Sequence, residues 1–248
     1  MDHVRIAIVG DFDRSKNSHW ATEAALFHAA AALGLAVEPH WIATPLLAHG
    51  GAGIAGFDAI WGAPGSPFAS PQGMLHGIEH ARTRDVPYLG TCAGFQYALI
   101  ELSRNVLGVR DADSAENVPN AADGANIVIT PIRCAVPVPG MAPLDGAGVA
   151  RPVAGTLLES LCGSEDLRGE FLCSLEANPD YVPRWERAGL RIAARGADGE
   201  MRAFELPAKR FFLATLFRPQ LSSSYQRPHP IITGFLRAAS QSPRRSAP

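Results

Sequence analysis

The segment Gly90-Thr91-Cys92-Ala93-Gly94 sets a cysteine between two glycines, where the apolar run "VPYLGT" passes into the helical run "GFQYALIELSRNVLG". When a strand ends and a helix begins within two residues, the central residue is strained, and flanking glycines relieve the crowding. The side chain is then held out above the sheet, facing the first N–H groups of the helix. That positive end favours a thiolate and offers the Ala93 N–H to a developing oxyanion. The chemistry so prepared is nucleophilic attack by Cys92; the bland reading is a buried cysteine in a tight turn. Cys134, Cys162 and Cys173 lack such surroundings. None of the four forms a C-x-x-C pair or sits at close spacing with histidine, so no metal site is expected.

The elements that must position Cys92 alternate. "VRIAIVG" reads as a strand and "SHWATEAALFHAAAALG" as a helix, capped by Ser18 and closed by Gly34. "AVEPHWIA" follows as a strand pushed to an edge by Pro39, then "FDAIWGAP" as a strand and "PQGMLHGIEHARTR" as a helix. Strands alternating with helices predict an α/β fold with a mostly parallel sheet covered on both faces. Ligands bind such sheets beyond the carboxyl ends of the strands. Those ends are "GDFDRSKNSH", "APGSPFASP" and "GTCAG".

Beyond about residue 110 the pattern loosens. "NIVITPI", "EFLCSLEAN", "LRIAARG", "MRAFEL" and "FFLATLF" read as strands with antiparallel pairings, "YVPRWERAG" as a short helix and "PHPIITGFLRAAS" as a closing helix. Segment 132–168 is rich in Gly and Pro and its structure is left open, while 241–248 reads as a disordered tail. The expected organisation is one domain over 1–240. The chain has 248 residues, is 47% hydrophobic and carries a formal charge of -2. That balance argues against nucleic acid and anionic membrane as partners, and no apolar run reaches the ~18 residues of a membrane span. A cytoplasmic protein acting on a small molecule, with no cofactor, is expected.

The stretch "PYLGTCAGFQYALIELSRNVLGVRDADSAE" closely resembles the glutaminase domain of CTP synthase, a class I glutamine amidotransferase, whose pattern is P-Y-L-G-I-C-L-G-M-Q followed by A-L-I-E-x-x-R-N. "IAIVGDF", "NPDYVPRWERAGL", "FELPAKRFFLATLF" and "RPHPIITGFLRAA" extend the likeness over about residues 4 to 240. The resemblance implies a flavodoxin-like three-layer fold with an added antiparallel region. It also implies a nucleophile at Cys92, an oxyanion hole at Ala93 and Ser66 in the loop Pro64-Gly65-Ser66, and substrate contacts from Gly65, Gln96 and Glu116. No G-x-x-x-x-G-K-[ST] loop for the synthetase chemistry is present, so the chain looks like a glutaminase half standing alone. A partner synthetase or acceptor enzyme, and a homodimer, stay open.

Two family features are altered. Where the family reads F-H-P-E-F, this chain reads Phe217-Arg218-Pro219-Gln220-Leu221, so Arg218 and Gln220 replace the triad histidine and glutamate. Arginine stays protonated and cannot serve as a general base, and glutamine cannot charge-stabilise an imidazolium. The family arginine that holds the substrate carboxylate corresponds to Ser174, which offers no charged clamp. His19, on the loop after the first strand, is the candidate alternative base, with Glu116 or Asp11 as other proton carriers and Cys173 as a second thiol. His28, His76 and His80 fall in helices, and His229 marks a helix start. The expected function is a Cys92-dependent hydrolase or transferase acting on an amide-like C–N or acyl bond of a small molecule other than free glutamine. The alternatives are an inactive binding or regulatory protein, and a glutaminase with a displaced triad.

Overall fold

Along β1 (His3–Val9), Ile6 and Ile8 join one buried cluster, while Ala7 and Val9 join another. A strand buried on both faces needs cover on both. The structure, a computed structural model, describes residues 3–120, 125–132, 146–171 and 174–241.

The chain continues through α1 (Asn17–Leu33), β2 (Ala36–Ile42), β3 (Ala59–Gly62), α2 (Pro71–Arg84), β4 (Tyr88–Thr91) and α3 (Ala93–Asn105). Then come β5 (Asp113–Ser114), β6 (Ile127–Pro131), β7 (Gly146–Pro152), α4 (Leu157–Cys162), β8 (Leu167–Phe171) and β9 (Leu175–Ala177). The last elements are α5 (Val182–Arg187), β10 (Arg191–Arg195), β11 (Met201–Glu205), β12 (Phe212–Thr215) and α6 (Pro230–Ser240).

Nine strands form one sheet in the order β2-β1-β3-β4-β12-β11-β10-β7-β8. From β2 to β12 all neighbours are parallel; from β12 to β8 all are antiparallel. A smaller sheet, β5-β6-β9, stands apart. Met74 and Ile78 of α2 and Phe95 and Leu99 of α3 pack with Ile60 and Tyr88 on one face of the main sheet. Ala25, Leu26 and Ala29 of α1 pack with Ile6, Ile8, Trp61 and Phe235 of α6 on the other. The α/β architecture read from the sequence is the one observed. β2, with Pro39, lies at the sheet edge, where a missing donor is tolerated.

One local reading is amended. Ser18 does not cap α1: the helix begins one residue earlier, Lys16 is the cap, and Ser18 sits buried in the first turn, where its carbonyl accepts from Thr22 Oγ1. Gly34 closes α1 as expected, at φ 65°. Within the open segment 132–168 the structure describes β7, α4 and the start of β8. α4 is capped by Thr156, whose hydroxyl accepts from the Glu159 N–H. Residues 133–145, with Cys134, and the tail 242–248 lie outside the described residues, as does Cys173.

Candidate active site

β4 is buried throughout and ends at Thr91; α3 begins at Ala93. The single residue between them, Cys92, takes φ 54° and ψ -105°, a region that costs a residue with a side chain on the order of 1–3 kcal/mol. Close packing holds it there. A Cβ at Gly94 would lie 2.1 Å from Gly62 O, so only glycine lets the first turn of α3 rest on β3. The buried Tyr88 hydroxyl donates to Gly94 O at 2.9 Å, and the Cys92 N–H donates to Thr215 O at 2.9 Å, tying the turn to the end of β12. No side chain caps α3; of the N–H groups in its first turn, that of Phe95 turns back to Cys92 O at 3.1 Å. Cys92 is reduced and partly exposed.

Cys92 opens onto a cavity of about 420 Å³ at the carboxyl ends of the parallel strands. Gly65 and Ser66 line one wall. Their loop is oriented by its carbonyls: Lys16 Nζ donates to Gly65 O at 3.2 Å, and His19 Nε2 lies 3.0 Å from Pro64 O. Peptide planarity then turns the N–H groups of Gly65 and Ser66 away from those partners. Gly65 takes φ 100°, and a Cβ there would sit 2.9 Å from His19 Nε2, so this position suits glycine on two counts. Gln96 lines the cavity one turn along α3 from Cys92, and its side chain is buried. Glu116 enters from the loop after β5, anchored by its N–H donating to Ser114 Oγ at 3.2 Å. Ser174 and Leu175 lead into β9, and Arg218 and Leu221 follow β12.

The fourth wall is unlike the rest. Arg218 lines the cavity, yet its Nε and Nη2 are shielded from solvent and have no hydrogen-bond partner among the described residues. Gln220 is buried beside α1, where its Nε2 donates to Thr22 Oγ1 at 3.3 Å, but its Oε1 has no partner among the described residues either. Buried polar groups left so are uncommon and costly.

His19, the candidate alternative base, lies outside the cavity lining. Its ring is 1% exposed and absent from the cavity wall. Nδ1 accepts from the Asp13 N–H at 2.9 Å, which leaves Nε2 as the protonated nitrogen that donates to Pro64 O. Burial holds its pKa below the ordinary value. Both ring nitrogens are engaged, and through Pro64 O the ring holds the Gly65–Ser66 loop. The Asp11 carboxylate, also outside the lining, accepts from the Thr44 N–H and hydroxyl and from the Ala69 N–H. Glu116 is the one carboxylate, and no histidine is present, among the described residues that line the cavity. His229, read as a helix start, caps α6 by accepting from the Ile231 N–H.

The family model for glutamine amidotransferase class-I matches residues 17–135, a span from the start of α1 across the Cys92 turn and Glu116. The chain belongs to the class I glutamine amidotransferase family. It is 35% identical to the CTP synthase of Pyrococcus furiosus over 96% of its length and 32% identical to that of Methanopyrus kandleri, again over 96%. It spans about 45% of the length of these relatives. Among solved structures, the glutaminase domain of Trypanosoma brucei CTP synthase with bound acivicin superposes with a TM-score of 0.84 at 26% identity, covering 98% of this chain and 96% of that one. A glutamine amidotransferase from Methylobacillus flagellatus, 11% identical with a TM-score of 0.58 over 98% and 96% of the two chains, shares the fold.

Sequence reasoning missed Lys16, Asn17 and Ser18 at the cavity rim. The signal was the loop at the carboxyl end of β1, whose lysine falls immediately before the helix. No helix among the described residues is long and apolar enough to cross a membrane.

Proposed function

We propose that the protein is a cysteine-dependent enzyme that hydrolyses or transfers at an amide-like C–N or acyl bond of a small molecule other than free glutamine. One observation carries this reading: Cys92 is held at φ 54° at the uncapped start of α3 and opens onto a cavity that also receives Gln96 and Glu116. A merely structural cysteine has no need of a strained turn facing a cavity. The Cys92 thiolate attacks the carbonyl carbon and forms a C–S bond, while the oxyanion is met by the N–H groups of Ala93 and Ser66. The C–N bond breaks and the amine leaves with a proton. Water, or an acceptor, then adds to the acyl-thioester, the C–S bond breaks, and the thiolate returns. Glu116, the one carboxylate among the described lining residues, is the proton carrier in this scheme. Arg218 and Gln220 are read as the replaced triad positions, and that reading sets free glutamine aside as substrate.

The relatives are CTP synthases, so a partner that supplies a synthetase or acceptor function belongs to the same proposal. The test is thiol alkylation by iodoacetamide, read by mass spectrometry across pH. Cys92 is expected to label faster than Cys162, whose thiol burial pushes up to about 11, and to do so through a pKa below the free-thiol value of about 8.5. Labelling of Cys92 no faster than Cys162 would falsify the enzymatic reading.

The lack of an imidazole among the described lining residues favours a second reading, a non-catalytic binding or regulatory protein. In that case Cys92→Ser leaves the biological activity intact. Ammonia release from glutamine that depends on Cys92 would instead mark a glutaminase with a displaced triad.

A further inference from the structure

Resting on that reading, we propose that the substrate carries a carboxylate and that Arg218 is the residue that reads it, within the Cys92 cavity. The first support is the guanidinium. Arg218 lines the cavity, and its Nε and Nη2 are shielded from solvent without a hydrogen-bond partner among the described residues. A cation deprived of water and left unpaired is costly, so the state that repays the cost has acceptor oxygens at that edge.

The second support is the shape of the vacancy. Nε and Nη2 form the side-on fork of a guanidinium, which matches two oxygens of one carboxylate. The same molecule shows the fork filled elsewhere: Arg82 donates through Nε to Glu101 Oε2 at 2.8 Å and through Nη2 to Oε1 at 2.6 Å. Arg218 lines the cavity, and a turn about its side-chain torsions would bring the fork to a ligand there.

The third support is the field. Lys16 and Arg218 are the cations among the described lining residues, against the single carboxylate of Glu116. α1 and α3 both start at this wall without side-chain caps, and each adds the positive end of its dipole. The net result is a cavity that favours an anion next to the sulfur. Lys16 is the weaker reader, because Nζ already donates to Gly65 O at 3.2 Å.

The test compares two alkylators of Cys92 that differ in charge, iodoacetate and iodoacetamide, on the full chain. The rate ratio of iodoacetate to iodoacetamide is expected to be higher at Cys92 than at Cys162. It is expected to fall about tenfold or more in Arg218→Met, the scale of a lost charge-assisted pair, and less in Arg218→Lys. A ratio unchanged by Arg218→Met overturns the proposal, provided thermal melting shows the variant folded. A second arm does not use the reactivity of the sulfur: calorimetric titration of Cys92→Ser with succinate. Binding that is lost on adding Arg218→Met supports the proposal. No binding, binding indifferent to Arg218, or inorganic phosphate held more tightly than succinate overturns it. An inert sulfur together with Arg218-dependent succinate binding sinks the catalytic reading alone, so the two failures are told apart.

Discussion

The carboxyl ends of β4 and β12 lie side by side, with Thr91 level with Thr215, yet they end in opposite ways. At β4 the backbone is strained and the polar groups are satisfied: Cys92 sits at φ 54°, its N–H donates to Thr215 O, and Tyr88 donates to Gly94 O. At β12 the backbone stays at negative φ, -111° at Arg218, and the polar groups are left over: Arg218 Nε and Nη2 and Gln220 Oε1. Strain at one strand end is maintained by packing. Unpaired groups at the next await a partner. A site can therefore hold a reactive atom rigidly on one element and keep its means of recognition uncommitted on the neighbouring one.

Substitutions on each side sharpen the contrast. The largest effect is expected at the β4 end. Gly94→Val drives a side chain into Gly62 O, where even a Cβ would lie 2.1 Å away from backbone that cannot yield. A loss on the order of 3 kcal/mol is expected in denaturant unfolding, and a near-neutral result would mean that the turn is not tightly packed. At the β12 end the sign reverses. Arg218→Met removes an unpaired buried cation and should stabilise the ligand-free protein by about 1–2 kcal/mol while abolishing anion preference; destabilisation in the same unfolding experiment would show that Arg218 is structurally paired.

Cys92→Gly is expected to stabilise by about 1 kcal/mol, because glycine tolerates the positive φ that cysteine does not. Its melting temperature checks the strain directly. The smallest effect is in pH. Burial lowers the pKa of His19, and that of His229 from 6.5 to about 4, so the folded protein binds fewer protons than the unfolded chain in acid. Their full stability is present above the unfolded value near 6.5 and is lost as pH falls below it, by about 0.7 kcal/mol for His229 between pH 7 and 6, with His19 acting in the same direction. Thermal melts across that range measure the slope. His229→Asn, which keeps a capping side chain on α6, should flatten it.

Much of the frame was legible because it rests on periodicity and local geometry. The apolar runs around Ile6–Ile8 and Tyr88–Leu89 announce strands buried on both faces, and Gly34 marks the end of α1 at a positive φ. α2 begins and ends where its residues predict, since Ser70 caps it by accepting from the Gly73 N–H and Pro71 opens it. The rim was less legible. Ser18 has the chemistry of a cap, but the start of α1 is set by how the loop from Asp11 to Lys16 folds back, with Asp13 accepting from Ser15 and from no residue of α1.

His19 shows the limit most clearly. Its place on the loop after β1 is a property of the sequence, and from that alone a ring reaching Cys92 is as reasonable as any other. Which way the ring turns depends on Pro64 and Asp13, groups brought near it by the sheet and by the loop, and these take both nitrogens. The sequence by itself determined the strand-to-helix cysteine turn, the parallel frame and the residue types at the end of β12, because each follows from neighbours a few positions away. Only the tertiary structure decided that His19 supports the loop, that Lys16 joins the cavity, and that the Arg218 fork stands unpaired. The first two outcomes depend on contacts across the sheet between residues 45 and 49 positions apart, His19 with Pro64 and Lys16 with Gly65.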